Sequence, residues 1–220
     1  MVQTAVMLAF VSMLVMLLGI TMIRSEGNPE VVCFGDSITN GAMVNGKSWV
    51  YFLSEEHRKV DFVNAGRNGR KTSDKDEILP IISEYHGAEL LLIMLGVNDL
   101  KDGNDSLVDD CVSNVDWMIH KVREASQGTR IILIAPPEIS LRKMSQLNVG
   151  KEYNGNTFQA LRKLSGEYEK LSKRDSVGFL SLLNTVSPDN FVDGLHPDLE
   201  GQRQIAEKIW RLLSAKFGLK

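Results

Sequence analysis

From about Asn28 onward, apolar positions along the chain alternate between two rhythms. Short, nearly continuous apolar runs predict buried strands at Glu30–Phe34, Val60–Asn64, Glu89–Leu95, Arg130–Ala135 and Val177–Leu180. Between them the spacing turns helical. Helices are predicted over Ser48–His57, over Ser73–Tyr85 with a bend at Pro80, over Ser106–Ala125, over Thr157–Leu171 and over Leu199–Leu213. The third is the clearest: Val108, Cys111, Val115, Ile119 and Val122 share one stripe, and Gly128 follows its end. Strands that are apolar along their whole length must be covered on both faces. Alternation with helices then predicts an α/β fold: a three-layer, doubly wound, flavodoxin-like sheet of about five parallel strands in a single domain. Pro136–Tyr153 is the longest stretch with no period, and such loops in small domains often carry function.

The first 27 residues stand apart. No charged residue precedes Arg24, and Ala5–Ile23 is almost wholly apolar. As a helix this run would be about 28 Å long at ~1.5 Å per residue, close to the ~30 Å of a bilayer core. It lacks the stripe of a helix that packs into a domain. Residues 1–27 therefore read as a hydrophobic signal peptide or an N-terminal membrane anchor, and residues 28–220 as the folded domain. The segment MVQT carries no basic residue and the run exceeds a usual signal core, which suits an anchor. Arg24 alone favours a cytoplasmic domain. The overall reading is a secreted protein, or one anchored on the outer face of a membrane through residues 5–23.

Composition narrows the chemistry. The 220 residues are 43% hydrophobic and 24% charged, which excludes disorder and a polytopic membrane protein. A net charge of −3 offers no basic footprint for nucleic acid. Two cysteines and four scattered histidines point to no metal centre and no cofactor. Cys33 and Cys111 read as core thiols.

In a doubly wound sheet, ligands sit beyond the carboxyl ends of the strands. After the first strand comes Gly35-Asp36-Ser37, after the second Ala65-Gly66-Arg67-Asn68-Gly69, and after the third Gly96-Val97-Asn98-Asp99. Asp193-Gly194-Leu195-His196-Pro197 precedes the last helix. Acyl transfer needs a hydroxyl nucleophile, an imidazole base, a carboxylate to orient it and donors for the oxyanion. Ser37, His196 and Asp193 supply the first three. Asn98 offers an amide and Gly66 an unobstructed backbone N–H.

These blocks, FGDSITNG at Phe34–Gly41, Gly66, GVND at Gly96–Asp99 and DGLHP at Asp193–Pro197, resemble the SGNH, or GDSL-type, hydrolase superfamily, and the strings LLIMLGVNDLK at 91–101 and ILIAPPEI at 132–139 resemble its arylesterase and acyltransferase branch. Each block alone is common; four in order, each at a strand end or ahead of the last helix, are specific. The resemblance implies Ser37 as nucleophile, His196 as base and Asp193 as its orienter. It also implies an oxyanion hole of Ser37 N–H, Gly66 N–H and the Asn98 side chain. Two glycines compete in the second block; Gly66 follows the strand directly and is preferred over Gly69. The implied activity is hydrolysis of carboxylic esters, with short-chain or acetyl esters, including those of carbohydrates, foremost. Thioester or lysophospholipid hydrolysis and acyl transfer are alternatives on the same site. Pocket walls are expected from Leu100–Asp102, Glu138–Leu147, Val192 and Leu195.

A second motif competes. Gly41–Ser48 matches G-x-x-x-x-G-K-S, a phosphate-binding loop. That motif requires a strand directly before its first glycine, and here six residues intervene. Taken singly, Ser37 could be a helix cap and Asn98 a turn residue. Asp36 and Asp99 read as loop braces. His57, His86 and His120 fall at helix ends or off the apolar stripe.

Overall fold

The computed structural model describes residues 27–219. The apolar run of residues 5–23, and with it the expected leader or anchor, lies outside the described residues. Among the described residues no helix is long and apolar enough to cross a membrane.

Five strands form one sheet: β1 (Glu30–Gly35), β2 (Asp61–Gly66), β3 (Leu90–Met94), β4 (Arg130–Ala135) and β5 (Gly178–Ser181). Their order is β2-β1-β3-β4-β5, and every neighbouring pair is parallel. The helices are α1 (Ser37–Asn40), α2 (Trp49–Glu56), α3 (Ile78–Glu84), α4 (Asp105–Ala125), α5 (Gln146–Gly150), α6 (Gly155–Arg174) and α7 (Leu199–Phe217). One group of helices joins α2 to α7, and another joins α4 to α3 and α6. Leu90–Met94 and Val31–Phe34 are buried at every position, as a sheet covered on both faces requires. β2, with Asp61 and Asn64 in its sequence, lies at the edge and is only half buried. The crossovers reverse direction between β1 and β3, which makes the carboxyl ends of these two strands the switch point of the sheet.

Helix stripes explain most of the core. Val108, Cys111, Val115, Ile119 and Val122 of α4 are all buried, joined by Met118. In α6 the stripe is Leu161, Leu164, Tyr168 and Leu171, while Phe158 is only partly buried. In α7 the i, i+4 series Ile205, Ile209 and Leu213 is buried, and Leu212 is turned half outward.

Two details differ from the pattern-based expectation, and one alternative reading, of Ser37 as a helix cap, falls. The bend before α3 falls at Asp74 (φ −80°, ψ 31°), inside a tight 3-10 turn over Thr72–Glu77, and not at Pro80. Pro80 is the third residue of α3, where an N–H has no helical partner to lose. The aperiodic stretch Pro136–Tyr153 contains a 3-10 turn at Leu141–Lys143 and the short helix α5. Ser37 is not a cap: Asp36 caps α1, its carboxylate accepting from the Ile38 N–H at 2.9 Å.

Four residues cannot hold a helix by propensity. α1 is held by tertiary contacts. Ile38 is buried, Gln202 of α7 donates to the Ile38 carbonyl at 3.2 Å, and the same Gln202 accepts from Trp49 N at the start of α2. Thus α7 steadies the turn that follows β1.

Candidate active site

β1 ends at Gly35 and delivers Ser37 to the first turn of α1, where the residue is 6% exposed. The loop ahead of α7 brings His196 to it across the chain: His196 Nε2 lies 3.1 Å from Ser37 Oγ. On the other side of the ring, Nδ1 lies 2.9 Å from Asp193 Oδ2. An ionised carboxylate only accepts, so Nδ1 carries the ring hydrogen and Nε2 is left to take the Ser37 proton. Asp193 is held firmly. Its Oδ1 accepts from the N–H groups of Leu195 (3.1 Å) and His196 (2.8 Å), and Asn148 donates to its Oδ2 at 2.9 Å. Burial alone would raise its pKa. The hydrogen bonds from the His196 ring and backbone, the imidazole charge and Asn148 outweigh burial and hold the carboxyl well below the usual range.

Asn98 follows β3 and is 8% exposed. Its Oδ1 accepts from Tyr153 OH at 3.0 Å, and its Nδ2 donates to the Arg70 carbonyl at 3.1 Å. The second amide hydrogen faces Asp36 Oδ2 at 3.4 Å, a loose contact. Arg70 anchors the loop after β2. Its guanidinium donates to the carbonyls of Gly35 (2.5 Å) and Ala65 (2.6 Å) and lies over the Phe34 ring.

Gly66, the preferred backbone donor, and Gly69 differ in what their N–H groups do. The Gly66 N–H already donates to Asn64 Oδ1 at 2.9 Å. The absence of a side chain there serves packing, since a Cβ would lie 2.3 Å from Asn40 N. Gly69 sits at φ +74°, exposed, next to the residue whose carbonyl holds Asn98. Its N–H has no hydrogen-bond partner among the described residues.

The remaining candidates fall elsewhere. Asp99 accepts from Thr72 through both N–H and Oγ1 and braces that loop. His57 stacks on Trp210, and His120 pairs with Asp116. Cys33 and Cys111 are buried, and burial pushes both thiols well above their ordinary range. Asp116, His120 and Asp175 converge closely enough for a metal ion, but Arg174 already pairs with both carboxylates. Gly41–Ser48 follows a helix rather than a strand. The N–H groups of Gly41, Ala42, Val44, Gly46, Lys47 and Ser48 all bond to nearby carbonyls, so these six are already engaged and do not form a phosphate cradle. Of the expected pocket walls, Leu100 and Leu195 are buried, whereas Leu147 (67% exposed) and Val192 (43%) face outward. A cavity of about 340 Å³ lined by Ile139, Ser140, Phe158, Val186 and Phe191 includes none of Ser37, Asp193 and His196.

Asp36 has a consequence for stability. It is buried, and burial raises its pKa to about 7 against the Ile38 N–H and the charges of His196 and Arg70. A carboxyl raised from its unfolded value of ~3.9 costs stability as pH rises from about 4 to 7, and no more above that. Asparagine caps equally well and never ionises. Asp36→Asn is expected to gain up to roughly 4 kcal/mol relative to the native chain at pH 8 and nothing at pH 4, since each tenfold change in proton affinity is worth ~1.4 kcal/mol. Thermal melts at the two pH values check this; a difference independent of pH would contradict it.

A hydroxyl, an imidazole and a carboxylate in hydrogen-bonded series at the switch point of a doubly wound sheet suit acyl transfer, and the class of protein is a carboxylic ester hydrolase. The family model described as the GDSL-like Lipase/Acylhydrolase family matches residues 33–204, and the chain belongs to that family. It is 30% identical over 209 residues to the isoamyl acetate-hydrolyzing esterase 1 homolog of Rattus norvegicus, covering 86% of this chain and 82% of that protein. It is 29% identical over 190 residues to an arylesterase of Vibrio mimicus, covering 84% of this chain and 88% of that one. Among solved structures, the native M. smegmatis aryl esterase shares the fold with a TM-score of 0.73 at 19% identity, over 87% of this chain and 100% of that one.

Proposed function

We propose that this chain is a serine esterase that hydrolyses short-chain esters, acetyl esters foremost, through an acyl-enzyme. The in-line series Ser37 Oγ, His196 Nε2, His196 Nδ1 and Asp193 Oδ2 carries the reading. Ser37 Oγ attacks the ester carbonyl and its proton passes to His196 Nε2. The C–O bond to the alcohol breaks, and the departing oxygen takes that proton. Water then attacks the acyl-enzyme, giving a proton to Nε2, and Ser37 leaves with it as the acid is released. Asp193 keeps the imidazole oriented and balances its transient charge. Ser37 N–H, the loosely held Asn98 hydrogen and Gly69 N–H are assigned to the oxyanion, with Gly69 replacing Gly66 because its N–H is free.

The acetyl preference is supported by the relatives named for isoamyl acetate. The apolar run of residues 5–23 is assigned to export or tethering. The described chain starts at the amino end of β1, about 20 Å of strand from Ser37 at ~3.3 Å per residue, so a tether there would leave the site facing away from its attachment. Two experiments test the two parts. Nitrophenyl esters of increasing chain length are expected to give the highest kcat/KM at acetate or butyrate. A serine-directed phosphonate is expected to label Ser37, in the exported or membrane fraction of cells. Preference for long acyl chains or thioesters would overturn the substrate reading, and label confined to the cytosol would overturn export.

A further inference from the structure

The segment between Ser145 and Tyr153 touches both halves of the catalytic machinery, although the four sequence blocks contain none of it. Ser145 caps α5 and fixes Asn148, accepting from its N–H at 3.3 Å, while Ser145 N donates to the Asp193 carbonyl at 3.1 Å. From α5, Asn148 is 2% exposed and its Nδ2 reaches both the carbonyl (3.2 Å) and the Oδ2 (2.9 Å) of Asp193. Five residues on, Tyr153 is 3% exposed and donates to Asn98 Oδ1 at 3.0 Å. The two are linked directly, Tyr153 N donating to the Asn148 carbonyl at 3.1 Å. One short element therefore holds the carboxylate behind the base and the amide assigned to the oxyanion.

We propose that Asn148 and Tyr153 are positioning residues of the esterase reaction, locking Asp193 and Asn98 in the rotamers that catalysis requires. The proposal rests on the serine-esterase reading above. Each residue solves a specific problem. An asparagine amide is nearly symmetric in shape, and a half-turn about its last bond exchanges a donor for an acceptor. An acceptor facing an oxyanion would repel it. The Arg70 carbonyl only accepts and so fixes the Nδ2 side of the amide, and Tyr153 OH, donating to Oδ1, holds the opposite side in the matching orientation. Burial, with Asp36, Asp99 and Asp193 nearby, keeps the phenol protonated well above its ordinary range, as a donor must be. Asn148 acts on the other half. Asp193 has two oxygens, and Oδ1 is already occupied by backbone N–H groups. Asn148 supplies the lateral restraint on Oδ2, the oxygen that receives His196 Nδ1 at its shorter distance. Without it the carboxylate can swing and the imidazole loses its aim at Ser37. Neither residue reaches the reacting atoms, so both act through a partner.

The test uses the full chain. Tyr153→Phe keeps the ring and removes only the hydroxyl. It is expected to lower kcat by roughly 10–100-fold with KM unchanged, the usual scale for losing alignment of a reacting group. On an Asn98→Ala background the same substitution is expected to cost almost nothing more, since there is no amide left to orient. Asn148→Leu is expected to lower kcat by a similar factor. It should also move the acid limb of the pH profile of kcat/KM upward, because a carboxylate with one donor fewer holds the proton on the imidazole more tightly. Asn148→Asp, close in shape, decides the point if the leucine variant does not fold, and is expected to lose kcat as well. Full activity in Tyr153→Phe, a loss that simply adds to that of Asn98→Ala, or Asn148 variants with unchanged kcat and pH profile would overturn the proposal. An active Ser37→Ala variant would instead overturn the serine reading beneath it.

Discussion

Ser37→Ala is expected to lower kcat for ester hydrolysis by on the order of 10⁴–10⁶ while leaving the fold intact. The loss is large because, in the proposed mechanism, the hydroxyl forms the bond to the substrate and no neighbour can take its place. The side chain contributes little else. Among the described residues its Oγ bonds only to His196 Nε2, and the cap of α1 comes from Asp36. Alanine is a good helix former at the first position of α1, and Ile38 and Gln202 still hold the turn. What activity remains would come from the oxyanion donors and from binding. Circular dichroism and melting should match the native chain, and the phosphonate should no longer label. Lys47→Ala serves as the contrast, since a nucleotide-hydrolysing reading of Gly41–Ser48 would make that change the damaging one. More than a few per cent of native activity in Ser37→Ala would remove the serine mechanism.

Asn98→Ala is expected to lower kcat by about 10²–10³ with KM little changed, the typical effect of removing one oxyanion donor. The interaction develops only as the carbonyl oxygen gains charge, so ground-state binding does not register it. In the resting site one amide hydrogen goes to the Arg70 carbonyl and the other faces Asp36 at 3.4 Å. An oxyanion therefore competes only with a weak contact. Parallel measurements of kcat and KM decide the matter: a change confined to KM would make Asn98 a substrate-binding residue in the ground state.

Much of this was legible before any tertiary contact was known. The strands announce themselves because a parallel sheet buried on both faces must be apolar at successive positions, as Leu90–Met94 and Ile131–Ala135 are. α4 is equally plain, since its buried stripe follows the helical period over 21 residues. Short elements were not legible. α1 and α5 are too brief to show a period, and they exist only because Gln202 and the Asp193 loop bind them from elsewhere in the chain. The bend expected at Pro80 moved because a proline in the first turn of a helix removes no hydrogen bond.

The proposed catalytic residues divide in the same way. The order of residues along the chain was enough to single out Ser37, Asn98, Asp193 and His196, because each chemical type stands directly after a strand or ahead of the last helix, and strand ends converge in this architecture. Local order cannot say which backbone N–H is already spent. Chain order favours Gly66, which follows the strand directly, and only the fold shows Asn64 accepting from its N–H while that of Gly69 has no partner among the described residues. Nor can it find side chains that act through others. Arg70, Asn148 and Tyr153 lie 28, 45 and 55 positions from the residues they hold, Asn98, Asp193 and Asn98 respectively. Such contacts have no period and no motif. They arise where β1, β3 and the loop before α7 meet, and that meeting is a property of the folded chain alone.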